Sequence, residues 1–124
     1  MFGGYAGTPR VELHGVSHIT GGGVPEKLGR MLRPSGLGAD LTYLCWPSKF
    51  MKFVQTIGEV SDVEAYKTWN MGQGMIVATP DPVMVMHIAG EYGISAYKVG
   101  EVTRKPGIRI WSMGAFSPGK ILEF

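Results

Sequence analysis

The chain has 124 residues, 44% of them hydrophobic, which is enough for one domain with a real core and too little for two. Twelve Lys and Arg against ten Asp and Glu give a formal charge of +2; the basic residues are scattered rather than striped, which argues against nucleic acid as a partner and leaves a local phosphate site possible. A single cysteine, Cys45, excludes an internal disulfide and a four-cysteine zinc site, and no segment approaches the ~20 apolar residues of a membrane helix, so the expectation is a soluble cytoplasmic protein with no membrane partner.

Residues 1–10 are broken by Gly3, Gly4, Gly7 and Pro9 and read as an irregular segment with no signal peptide, ahead of one domain over 11–124. Val11 to Thr20 reads as a strand, with Val11, Leu13, Val16 and Ile19 apolar. It runs into Gly21, Gly22 and Gly23, after which Pro25 and Glu26 suit a first helical turn and Leu28, Met31 and Leu32 form a stripe that Pro34 stops. A second strand is expected over 39–45. A helix from Pro47 follows, in which Phe50, Phe53, Val54 and Ile57 share one face at i, i+3, i+4 and i+7 and are expected in the core. Ser61-Asp62-Val63-Glu64 has the capping-box pattern and opens a short helix, 62–69. Met75 to Ala78 reads as a buried strand. Asp81-Pro82 starts a helix with Met84, Val85, Ile88, Ala89 and Tyr92 on its apolar face. Three β-like runs, 96–103, 108–112 and 120–124, are separated by Pro-Gly turns. This interleaving predicts an α+β fold with a mixed, largely antiparallel sheet and packed helices.

Three consecutive glycines between a strand and a helix need a reason, because glycine weakens regular structure by about 0.5–1 kcal/mol relative to alanine. One reading is an anion site made by turn amides and the positive end of the helix; the other is a tight turn without ligand. Asn70-Met71-Gly72-Gln73-Gly74 is a second place where a ligand could approach backbone, with a helix-terminating turn as the alternative. Neither stretch matches a P-loop or a dinucleotide fingerprint: the Ser/Thr after Lys27 and a third glycine after Gly74 are missing. His14 and His18 are about 13 Å apart on a strand, too far for one ion, and no metal is expected. His18, at the strand end, either contacts a phosphate or braces the turn. Cys45 reads as a buried inert thiol and Trp46, Trp69 and Trp111 as packing residues. Asp40, Asp62 and Asp81 read as turn or cap residues.

The order of these motifs resembles a known family. His18-Ile19-Thr20-Gly21-Gly22-Gly23 with Pro25, Glu26, Leu28 and Arg30, then Trp46-Pro47 and Phe50, then Tyr66-Lys67-Thr68-Trp69-Asn70-Met71-Gly72 with Gly74-Met75, and finally Val99-Gly100-Glu101-Val102 are similar to the C-terminal domain of aminoimidazole ribonucleotide synthetase, or phosphoribosylformylglycinamidine cyclo-ligase. The family usually has arginine at Lys67, phenylalanine at Trp69 and asparagine at Lys27. The resemblance implies a part in purine biosynthesis. ATP activates the formyl amide oxygen of formylglycinamidine ribonucleotide, an internal nitrogen closes the imidazole, and ADP and phosphate leave. It implies ATP and magnesium for the whole enzyme, and partnership with an N-terminal synthetase domain, without which turnover is not expected, or a homo-oligomer. His18, Thr20, Gly21, Gly22, Gly23, Asn70, Gly72 and Gly74 are then the expected substrate- or phosphate-binding residues, and no catalytic residue is assigned. On this reading Gly22→Val should block the ligand and leave the fold largely intact. Two alternatives are a stand-alone phosphate-ligand or interaction module without catalysis, and a relative of selenophosphate synthetase, thiamine-monophosphate kinase or the hydrogenase-maturation protein.

Overall fold

The computed structural model describes residues 7–124; of the irregular N-terminal segment, residues 1–6 lie outside the described residues and 7–10 carry no helix or strand. The elements are β1 (Gly15–His18), α1 (Gly23–Leu32), a 3-10 turn (Arg33–Ser35), β2 (Gly38–Leu41), α2 (Lys49–Ile57), α3 (Asp62–Thr68), β3 (Met75–Ala78), α4 (Pro82–Glu91), β4 (Glu101–Thr103), β5 (Gly107–Trp111) and β6 (Ile121–Glu123). Strands β1 and β3 pair with each other, and the other four form a sheet in the order β4-β2-β5-β6. Within it β2 runs antiparallel to β4, with Ala39 opposite Val102, and parallel to β5, with Leu41 opposite Ile110; β5 and β6 are antiparallel, with Ile110 opposite Leu122. Four helices with mixed, mostly antiparallel strands make the α+β fold that the sequence predicts.

Two compact units emerge, one of residues 7–16 with 77–98 and one of 17–76 with 99–124. In the first, Val85 and Ile88 of α4 pack on Val11 and on half-buried Leu13. Asp81 caps α4 by accepting from the Met84 amide at 3.0 Å, and Pro82 occupies the first turn, where its missing N–H costs nothing. The buried face is narrower than the predicted stripe, since Met84 and Tyr92 are exposed and only Val85, Ile88 and Ala89 are covered. Arg10 donates to both carboxylate oxygens of Glu91 at 2.6 Å.

The larger unit holds the main core: Val24, Leu28 and Leu32 of α1, Ala65 and Tyr66 of α3, Ala39 and Leu41 of β2, Ile108 and Ile110 of β5, Leu122 of β6, and Met71. β2 ends at Leu41 rather than running to Cys45. The Gln73 side chain explains this, because its amide nitrogen donates to the Cys45 carbonyl at 2.9 Å and its oxygen accepts from the Cys45 amide at 3.3 Å, replacing a strand partner. Cys45 is half-buried, not fully so.

The expected core face of α2 is reversed. Phe50, Phe53 and Ile57 are 74%, 60% and 68% exposed, whereas Gln55 is wholly buried. The polar residue is accepted inside because its hydrogen bonds are made: its nitrogen donates to Asp62 Oδ1 at 2.7 Å and to the Val60 carbonyl at 3.1 Å, and its oxygen accepts from the Ala115 amide at 3.1 Å. Helical periodicity identifies an apolar face, but not which side of the helix the neighbouring chain covers. Ser48 caps this helix through the Met51 amide at 3.1 Å.

Candidate functional site

β1 ends with Ser17 and Ile19 buried and with His18 and Thr20 exposed, so its alternation delivers the histidine and threonine to the surface at the mouth of the glycine turn. The turn closes when the Gly23 amide donates to the Thr20 carbonyl at 3.0 Å, and α1 starts there with Gly22 as N-cap at φ 93°. Gly23 has φ 60° and is buried against α3: a Cβ would overlap the Tyr66 carbonyl oxygen and lie 2.8 Å from that of Trp69. This glycine lets the start of α1 touch the end of α3. Gly21 is different. Its φ is not left-handed and nothing lies within 4 Å of where a Cβ would stand.

The second stretch follows the extended Trp69 and turns sharply at Met71 (φ 48°) and Gly72 (φ 89°). The Asn70 side-chain oxygen accepts from the Gly72 amide at 3.1 Å, holding the turn, and a Cβ on Gly72 would come within 2.8 Å of the Trp46 carbonyl oxygen. Met71 tolerates a left-handed backbone because its side chain is fully buried in the core, which over-determines the strained conformation. Gly74 is exposed with open space around it, like Gly21.

The fold brings the two stretches together. The Ile19 amide donates to the Gly74 carbonyl at 3.0 Å, and Gly23 packs on the Trp69 carbonyl, so residues 18–23 and 69–74 lie side by side. Of the expected site residues, His18, Thr20, Gly21, Gly72 and Gly74 are exposed, Gly22 and Asn70 are half-buried, and Gly23 is buried and bound into packing. Among the described residues the amides of Gly21, Gly22 and Val24 have no protein acceptor, and Pro25 contributes none. The Glu26 carboxylate lies against Gly22. It accepts from Arg30 at 2.5 Å, and Lys27 Nζ stands 4.0 Å away, so two cations offset the acid at the positive end of α1. Because Gly22 combines a positive φ with this close side chain, Gly22→Val would strain the turn itself, and it does not separate ligand from fold as the sequence suggested.

Sequence reasoning missed a buried polar cluster around Asp62. Asp62, expected as a cap, is buried and accepts from Ser112 Oγ at 2.6 Å, from Gln55, and from the amides of Phe116 and Ser117 at 3.1 and 2.9 Å. Burial pushes its carboxyl up, and the hydrogen bonds from Ser112, Phe116, Gln55 and Ser117 outweigh that, so its pKa lies below the ordinary value. The cap of α3 is Ser61, whose oxygen accepts from the Glu64 amide at 3.2 Å, while Glu64 bonds Thr68 rather than reaching back. Asp40 is not a turn residue either. Arg109 on the neighbouring parallel strand β5 holds it through two side-chain bonds and keeps its carboxyl below the usual range. Only the donors of a distant segment show these roles, and no local spacing signals them. Trp46 is also unlike the packing residue expected, being exposed with Lys52 Nζ 4.7 Å from its ring centroid.

Residues 6–112 match the family described as AIR synthase related protein, C-terminal domain. A phosphoribosylformylglycinamidine cyclo-ligase from an Exiguobacterium species is 38% identical over 102 residues, covering 80% of this chain and 29% of the relative. The enzyme of the same name from Shouchella clausii is 38% identical over 106 residues, 83% of this chain and 30% of its own, and that from Synechococcus elongatus is 36% identical over 104 residues, 82% and 30%. The chain thus spans about three tenths of the length of these relatives. The match takes in both glycine stretches and the strands and helices that bring them together, and the chain belongs to the AIR synthase related protein C-terminal domain family.

Proposed function

We propose that this chain acts as the C-terminal region of a cytoplasmic phosphoribosylformylglycinamidine cyclo-ligase of purine biosynthesis, with its paired glycine stretches holding the phosphate of a formylglycinamidine ribonucleotide-like substrate during ATP-dependent imidazole closure. One observation supports this most. Gly21 and Gly74 stand on either side of the Ile19–Gly74 hydrogen bond, exposed, in backbone that any residue could adopt and with room for a side chain. The fold does not need glycine at either place, whereas a ligand that approaches the backbone does. The amides of Gly21 and Gly22, which no protein group occupies, with Thr20 and His18 beside them, suit a phosphate monoester, and Lys27 and Arg30 offset the acid of Glu26 next to them.

Magnesium needs several oxygen ligands at once. The carboxylate beside the turn is Glu26, already held by Arg30 and Lys27, so these residues do not form a magnesium site, and the ATP and metal chemistry is assigned to the rest of the enzyme. What this chain supplies is position: a fixed phosphate anchors the ribonucleotide so that its reacting amide and amidine are presented together. Phosphate release dependent on ATP and formylglycinamidine ribonucleotide, measured for the chain alone and then mixed with the unmatched N-terminal region of the Exiguobacterium enzyme, tests the proposal. Release only in the mixture is the expected result. Ribonucleotide binding without release in either supports a binding module instead, and absence of binding removes the glycine stretches from the site.

A further inference from the structure

Glu26, Lys27 and Arg30 form a charge group beside the glycine turn, and it is not balanced. The Glu26 carboxylate lies against Gly22 and is held by Arg30, which donates to it at 2.5 Å. Lys27 Nζ stands 4.0 Å from the same oxygen, too far for a hydrogen bond, and has no other partner among the described residues. One positive charge is left over, and the three N–H donors of its ammonium are unpaired.

The side chain is also held in place. Only 20% of it is exposed, low for a lysine, and its stem is covered while the ammonium reaches the surface. Because Cα–Cβ bonds tilt toward the start of a helix, a long side chain from the second turn of α1 runs back past buried Val24 toward the glycines, which is where the Glu26 contact places it.

We infer that Lys27 makes this site selective for the charge of its ligand, favouring a dianionic phosphate monoester over a monoanionic phosphodiester of the same sugar. The inference rests on the reading that the glycine stretches hold a phosphate, and it assigns the discrimination at that site to one side chain. The amides of Gly21 and Gly22 can bond the oxygens of either ester, whereas a full positive charge separates them by a Coulomb energy proportional to the product of the charges. The family usually has asparagine at this position, so the preference is a property of this chain.

At about 6 Å and the dielectric constant of water, one pair of unit charges is worth about threefold in affinity, and a dianion squares this to about tenfold. A side chain that only packs would affect both esters equally.

Calorimetric titration of ribose 5-phosphate and of its methyl phosphodiester into the whole chain tests this, at about pH 8 so that the monoester, with a second pKa of about 6, is fully ionised. Salt is kept at about 50 mM to limit screening. The wild-type chain should bind the monoester at least about threefold more tightly than the diester. Lys27→Met keeps most of the covered stem and removes the charge; it should weaken the monoester about tenfold and the diester about threefold, with an unchanged urea midpoint. Lys27→Arg should retain the preference. A wild-type chain that binds the two esters equally overturns the inference without any variant, and so does a Lys27→Met variant that loses affinity for both alike or for neither; the glycine stretches then remain a phosphate site. A wild-type chain that binds neither ester removes that reading and this inference with it.

Discussion

Replacing Gly23 by alanine separates what the glycine turn does for the fold from what it does for a ligand. At φ 60° an alanine costs about 1–2 kcal/mol in backbone strain alone. Its methyl group would also overlap the Tyr66 carbonyl oxygen and stand 2.8 Å from that of Trp69, so α1 must move away from α3, with the about 1–3 kcal/mol typical of overpacking. Together these give roughly 2–5 kcal/mol, a large share of the roughly 5–15 kcal/mol that holds a domain together. In urea denaturation followed by circular dichroism, with a slope of about 2 kcal/mol per molar, the midpoint should fall by about 1–2.5 M. Gly21→Ala is the control, since nothing lies near its Cβ position; its stability should stay within about 0.5 kcal/mol of the wild type. An unchanged midpoint for Gly23→Ala, or an equal loss for Gly21→Ala, would refute the assignment of one glycine to packing and the other to ligand approach.

Gly21→Val, with stability unaltered, should weaken calorimetric binding of the ribonucleotide at least about tenfold if that glycine admits the phosphate. Glu26→Gln removes a like charge from the turn and should tighten binding of a phosphate-bearing ligand roughly two- to fivefold; weaker binding would show that the acid orients the ligand. Asp62→Asn should cost about 2–3 kcal/mol by leaving donors in the buried cluster unmatched, read as a lower urea midpoint. Because the Asp62 carboxyl titrates below its ordinary value in the folded chain, its contribution is complete above the unfolded pKa of about 4 and is lost as pH falls through the folded value. The wild type should therefore lose stability below about pH 4 more steeply than Asp62→Asn. Ser48→Ala and Ser61→Ala remove the caps of α2 and α3 and should each cost about 1 kcal/mol in the same assay.

Much of the fold was legible because its signals are local. Pro25 falls in the first turn of α1 and Pro34 follows its end, Ser61 and Asp81 cap their helices, and Met75 to Ala78 forms a strand at the expected place. The failures share a cause. The apolar stripe of α2 was read as core, and Asp62 and Asp40 as surface turns, because each depends on what a distant segment presents: Ser112, Phe116 and Ser117 to Asp62, Arg109 to Asp40, and Asp62 with Ala115 to Gln55. The eight candidate ligand residues were found as motifs, but the sequence treats His18 to Gly23 and Asn70 to Gly74 as separate runs, and it cannot rank one glycine above another.

Local chemistry by itself determined the order and type of the helices and strands, though not the length of the strands over 11–20, 39–45 and 96–103, and, through the order of its motifs, the family, because caps, turns and hydrophobic spacing act over a few residues and are written in them. Only the tertiary structure decided that Ile19 bonds to Gly74, that Gly22, Gly23 and Gly72 serve the backbone while Gly21 and Gly74 do not, and that Gln55 rather than Phe53 faces the core. Those outcomes are set by which atoms of remote segments come within a few ångströms, a quantity that spacing along one chain does not contain.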